Sequence, residues 1–238
     1  MNNLIILQSL IFTIFFSAHG ASQPLLTAHV KYEVSINVDG QEDMKQMAGL
    51  MGNSTMDVYF TNQKQRVDMS MMGGLILTKM FYDKQTKSSI MLQEMMGQKY
   101  KIKLDEQVGQ NSKNVNSDIS NANSKVTFDK NDRKKIQGYD CYKSTATIDN
   151  NGQKISIICY VTDQIKSPHG IIKEADDVNF GGLPLEYTLD MKSMKLVVTT
   201  KEVVKNFNSN IFDIPSSGYK EMTLEEFTKK MGGGNLGF

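Results

Sequence analysis

KKIQGYDCYKSTATIDNNGQKISIICYVT, residues 134 to 162, carries both cysteines of the chain and its clearest hairpin. Tyr139 to Ile148 and Gln153 to Thr162 are rich in β-branched and aromatic residues. Asp149-Asn150-Asn151-Gly152 between them is a turn signal, so two antiparallel neighbours are predicted. Side chains alternate faces along a strand, so loop length decides whether Cys141 and Cys159 can meet. A two-residue Asn151-Gly152 turn sets Cys141 opposite Thr162 and the sulfurs on opposite faces of the ribbon, which forbids a bridge. A three-residue loop with Gly152 in a left-handed bulge makes them diagonal neighbours on one face, and a five-residue loop makes them directly opposite. No basic or metal-ligating neighbours surround the pair, so the expectation is a structural disulfide between Cys141 and Cys159 rather than a reactive or metal-binding thiol pair. Such a bond would contribute about 3 kcal/mol.

The expected disulfide agrees with the start of the chain. Leu4 to Phe16 is an apolar run of signal-peptide length, followed by small residues at Ser17-Ala18-His19-Gly20-Ala21, although no Lys or Arg precedes it. Cleavage after Gly20 is expected. The run is too short to span a membrane comfortably, and no cysteine offers a lipid-attachment site near the cleavage point. A periplasmic or secreted protein is predicted, in a compartment where disulfides persist.

The chain has 238 residues, with 27 basic and 26 acidic side chains and a net charge of +1, so nucleic acid and anionic surfaces find no attraction in the overall balance. A hydrophobic fraction of 39% suffices for a globular core. The chain divides into a signal peptide (1–20), a single β domain (21–222) with a polar loop (105–124), and a short C-terminal helix with a flexible tail (223–238). From Ala28 to Val38 apolar and polar residues alternate almost without a break, as in a strand half in water. Further strand-like runs lie at 55–62, 65–71, 75–82, 88–93 and 99–104, then at 185–191 and 195–202, with Ile211 to Ile214 as a closing segment. Short regular strands with Gly, Asn, Asp and Lys turns predict an antiparallel meander. Asn111 to Ser124 is too polar to bury. Asp39 and Glu42 fit a capping box for a helix over Gln41 to Met51, and Thr223 with Glu226 fits another for TLEEFTKKM.

Sixteen methionines and no tryptophan set the composition apart. Met44, Met47 and Met51, spaced by three and four, form one stripe on the first helix. The stripe reads as core, or as a lid over an apolar groove, because unbranched polarizable side chains re-pack around varied hydrophobic ligands. Another reading takes thioethers, including Met69, Met71, Met72, Met95 and Met96, as soft ligands for Cu(I). Candidate ligand-binding residues are therefore Met44, Met47, Met51, Met69 and Met71. No catalytic residue, resident metal site or cofactor motif is found. Once the signal peptide is removed only His29 and His169 remain, outside any nucleophile or metal motif, and both read as solvated surface side chains.

Lys134-Lys135-Ile136-Gln137-Gly138-Tyr139-Asp140-Cys141 with Tyr160-Val161-Thr162, Gly182-Leu183-Pro184-Leu185-Glu186-Tyr187, and Phe212-Asp213-Ile214-Pro215-Ser216-Ser217-Gly218-Tyr219 resemble a family of exported domains of unknown function common in Bacteroidota. That family is similar in turn to the periplasmic lipoprotein-carrier superfamily. The resemblance spans roughly residues 28 to 222 and implies a mainly β fold: a curved antiparallel sheet, an incomplete barrel, with a few short helices covering its apolar side. It further implies a concavity that accepts lipid or acyl chains. Together with the alternating strands, this makes a non-enzymatic exported binding protein for a hydrophobic small molecule or lipid the leading expectation. A methionine-rich copper-binding protein, or an envelope module that binds another protein through a sheet edge or the C-terminal helix, are the rivals.

Overall fold

The computed structural model describes residues 23–38, 46, 48, 49, 52, 54–104, 126–150, 153–172, 178–191 and 194–231. The signal-peptide segment, Met44, Met47 and Met51, and the whole polar loop 105–124 lie outside the described residues.

Among the described residues twelve strands form one open sheet. In chain order they are β1 (Ala28–Val38), β2 (Ser54–Phe60), β3 (Lys64–Met71), β4 (Ile76–Asp83), β5 (Ser88–Met95), β6 (Gln98–Leu104), β7 (Thr127–Ile136), β8 (Tyr139–Asn150), β9 (Gln153–Thr162), β10 (Leu183–Asp190), β11 (Met194–Val204) and β12 (Lys220–Thr223). Their spatial order is β12-β6-β5-β4-β3-β2-β1-β11-β10-β9-β8-β7. Two meanders, β1 to β6 and β7 to β11, are joined where β1 pairs with β11. The fold is thus mainly β, a single curved unclosed sheet, as expected. Near-ideal alternation places β1 in the middle: Val30, Tyr32 and Val34 are buried on one face, while Glu33 and Ser35 are exposed on the other. Tyr32 is kept in the core by donating its hydroxyl to the Pro184 carbonyl at 2.9 Å.

Two strands were not legible beforehand. β7 is exposed along most of its length and interrupted by a bulge between Asp129 and Arg133. There the Asp129 carboxylate accepts the Asn131 and Asp132 amides at 2.9 and 3.2 Å. A charged, bulged strand lacks apolar alternation and suits a sheet edge, where it discourages pairing with other chains. β12 lies parallel to β6 at the other edge. It is followed by α1 (Leu224–Lys230), whose Thr223 and Glu226 close the expected capping box. Ile211, expected in a closing strand, instead sits in a 3-10 helix, Ser209–Phe212.

The segment from 205 to 219 straps the outer face between β11 and β12. Phe207 packs edge-on to Tyr59 of β2, the Ile211 carbonyl accepts from Arg66 of β3 at 2.5 Å, and Tyr219 donates to Glu94 of β5 at 2.5 Å. α1 then turns onto the inner face, where Phe227, 1% exposed, packs with Met91, Tyr100 and Ile102. The chain end therefore clasps the β6 edge from both sides.

Candidate functional site: a methionine-lined sheet face

Register decides which side chains share a face. Across the ladders Met56 stands opposite Met69, Met69 opposite Thr78, Val67 opposite Met80, Met80 opposite Met91, Met71 opposite Ile76, and Ile76 opposite Met95. Alternation places Met194 and Met222 on the same side, since they pair with Val38 and Ile102. Every methionine in a described strand thus points to the core face, and those of β2 to β5 form one continuous field. Met56, Met71 and Met91 are buried, whereas Met69, Met80 and Met95 are half-buried. In their midst Thr78 Oγ1 donates to Gln93 Oε1 at 2.7 Å, and the Gln93 amide donates to the Leu77 carbonyl at 3.3 Å. Both side chains are sealed from solvent, so this polar pair satisfies itself inside an apolar field.

One end of this face is closed by the connection from β9 to β10. Leu25 bridges Ile165, and the Gln65 side chain pins the connection by donating to the Gly170 carbonyl at 3.1 Å and accepting from the Ser167 hydroxyl. Ile165, Ile172 and Phe180 join the core there and border an open groove of about 340 Å³ lined also by Leu183 and Pro184. Gly182 is required at this junction, because a Cβ would stand 2.3 Å from the Thr162 carbonyl oxygen.

Of the residues singled out from sequence, Met69 and Met71 lie on the methionine face, as alternate members of β3. Met44, Met47 and Met51 fall outside the described residues, although residues 46, 48 and 49 are helical and Ala48 is buried. Sequence spacing does not single out Met56, Met80 and Met91, and it offers Met95 only as a soft ligand for copper. The missing signal was register: Met80 and Met91 sit in predicted strands, but only the loop length between those strands says that they share a face.

The expected disulfide is not formed. Cys141 and Cys159 are free and buried. Asn150 pairs with Gln153, which fixes the two-residue turn, and the unbroken ladder sets Ser144 opposite Cys159. Cys141, three residues from Ser144, is therefore on the other face. Burial pushes the Cys141 thiol up to about 11 and the Cys159 thiol up to about 12, so both remain protonated and poorly nucleophilic at neutral pH.

The outer face carries charge pairs. Arg66 forms a two-point ion pair with Asp68 at 2.5 Å and lies between the rings of Tyr59 and Phe81. Lys134 lies 2.6 Å from Glu186 and 3.6 Å from the Tyr160 ring centroid. The expectation for His29 is corrected: it is 8% exposed, contacts Asp57 at 2.6 Å and stacks on Tyr59 at 3.9 Å. His169 is only half-exposed and stacks on Tyr82 at 4.2 Å. Both rings are consumed by packing. Among the described residues no group of three or more His, Cys, Asp or Glu side chains is placed to hold a metal, and no helix is long and apolar enough to cross a membrane.

No curated protein sequence matches the chain. Among solved structures, the crystal structure of Mycobacterium tuberculosis lipoprotein LppX is similar over 77% of this chain and 89% of its own, with a TM-score of 0.39 and 10% identity. LprF from Mycobacterium bovis is similar over 76% and 88%, with a TM-score of 0.34 and 13% identity. The family model described as a domain of unknown function, DUF4412, matches residues 39–170, which take in β2 through β9 and with them most of the methionine field. The chain belongs to that family of domains of unknown function, DUF4412.

Proposed function

We propose that this protein is an exported, non-enzymatic binding protein for a hydrophobic molecule, a lipid or an acyl chain, held on the methionine face of the sheet. The observation that carries the reading is the one-sided placement of the strand methionines, half-buried at Met69, Met80 and Met95 beside a fully packed core. Methionine has three rotatable bonds and a polarizable sulfur, so such a surface re-packs around guests of different shape where branched side chains would hold one shape. A curved sheet with one apolar face needs a cover over that face, and a ligand is one such cover. Met69 and Met71 line the site in this reading, with Met44, Met47 and Met51 of the first-helix stripe as its lid.

Native mass spectrometry of the protein purified without detergent, before and after organic extraction, tests this. An extractable adduct of lipid size is expected. A bare polypeptide mass, with no uptake of a fluorescent fatty-acid probe, would end the reading, and a copper-sized increment would replace it with the thioether-metal alternative. Met80→Asp should cut probe uptake roughly tenfold or more, since a carboxylate on this face must be desolvated by the guest. Met80→Leu should leave uptake within about threefold, because volume and polarity are kept.

A further inference from the structure

The two meander turns at the far end of the sheet, away from the β9–β10 connection, are built from apolar residues. Between β3 and β4 the chain reads Met72-Gly73-Gly74-Leu75, and between β5 and β6 it reads Met96-Gly97. Leu75 is 69% exposed and Met96 is 89% exposed. The two turns are neighbours, since Ile76 pairs with Met95 at their bases.

Turn chemistry does not ask for these residues. Met96 and Gly97 form a two-residue loop with φ of 49° and 74°, a geometry in which Asn-Gly is favoured and a long side chain at the first position is strained. Met72 is likewise held at φ 54°. The same meander shows what its turns look like elsewhere. At the opposite end Thr61-Asn62-Gln63 and Lys84-Gln85-Thr86-Lys87 are wholly polar, with Thr61 and Asp83 accepting backbone amides in the turns. Apolar residues therefore mark the described turns at one end of this meander rather than its turns as a class.

We infer that these hairpin tips are a docking site for a lipid bilayer surface, with Met72, Leu75 and Met96 entering the headgroup–acyl boundary. The size of the patch favours this occupant. Among the described residues, three apolar side chains on two projecting turns fall well short of the ~800 Å² per partner buried in a stable protein–protein interface, so neither a second copy nor a folded protein is matched to them. An interfacial anchor needs only a few such side chains. The tips contain no charged residue, and behind them on the outer face Lys79 stands opposite Asp68 and Lys99 is paired with Glu94 at 3.0 Å, so no excess of negative charge opposes an approach to headgroups. The apolar surface also runs unbroken from the tips through Met71, Ile76 and Met95 into the methionine field.

The inference does not depend on a ligand being bound there, and vesicle flotation tests it. The protein is mixed with vesicles of phosphatidylethanolamine and phosphatidylglycerol and floated in a density gradient, with light scattering of the lipid-free protein alongside. The wild-type protein should float with these vesicles and with phosphatidylcholine vesicles alike, since apolar insertion rather than charge holds it. The triple variant Met72→Asn, Leu75→Asn, Met96→Asn should lose roughly tenfold or more of its vesicle binding. It should keep or raise its melting temperature, because Asn tolerates positive φ better than Met. Wild-type protein that stays out of the lipid fraction overturns the inference, as does a triple variant that floats equally well. A wild-type oligomer that fails to float and that the triple variant dissociates would assign the tips to a second copy instead.

Discussion

The Thr78 hydroxyl donates to the Gln93 side-chain oxygen at 2.7 Å across the β4–β5 ladder, with both residues buried among methionines. Removing one partner strands the other. Thr78→Val is expected to cost about 1–3 kcal/mol, because Gln93 Oε1 is left desolvated. Thr78→Val with Gln93→Leu should recover much of that loss. Denaturant unfolding of the two singles and the double gives the coupling energy, and additive effects would show that the pair does not act as a unit.

Both cysteines should be unreactive towards thiol reagents in the folded protein and fully reactive after denaturation without reductant. A single intact mass with two labels checks this. One disulfide-linked, unlabelled species would contradict the register of β8 and β9.

Burial raises both thiols above the ordinary value of 9.0, to about 11 for Cys141 and about 12 for Cys159. In the unfolded chain they lose their protons at lower pH than in the folded one. Their contribution to stability is thus complete below pH 9, falls as the unfolded thiols ionise, and is gone above the folded values. Alkaline unfolding followed by circular dichroism should occur at higher pH in Cys159→Ala, relative to its own neutral-pH stability, than in the wild type.

Tyr219 donates to Glu94 at 2.5 Å, and this bond, more than the nearby Lys99 ammonium, holds the Glu94 carboxyl below its ordinary range. The stabilisation is present above the unfolded carboxyl value and is lost as pH falls through the lower folded value. Tyr219→Phe should raise the Glu94 value in an NMR titration and cost about 1 kcal/mol. An unmoved titration would show that the strap does not bear on Glu94.

Phe227 is the one buried residue of α1, packed near Tyr100 with ring centroids 5.6 Å apart. Phe227→Ala should cost about 3 kcal/mol at most, with the loss confined to the clasp. Hydrogen exchange should quicken first in α1 and β12, while β1 and β11 keep their protection. Uniform loss across the sheet would mean that the clasp and the sheet unfold together.

The motifs that suggested the family are explained by backbone needs rather than by a shared reactive site. Gln137-Gly138 makes the two-residue turn between β7 and β8 at φ 50° and 85°. Gly182 permits close approach to Thr162, and Tyr219 ends the strap on Glu94. Such residues report a fold faithfully and a ligand poorly.

Alternation alone determined most of the strands, because a half-buried strand must repeat with period two, and it determined the C-terminal cap, because Thr223 and Glu226 sit within one turn of each other. It left β7 hidden, since a bulged and charged edge strand buries almost nothing, and β12, whose pairing with β6 comes from more than a hundred residues away in sequence. Only the tertiary structure decided the face on which each methionine stands and the separation of Cys141 from Cys159. Both depend on register, and a change of one residue in a turn reverses every side chain that follows it.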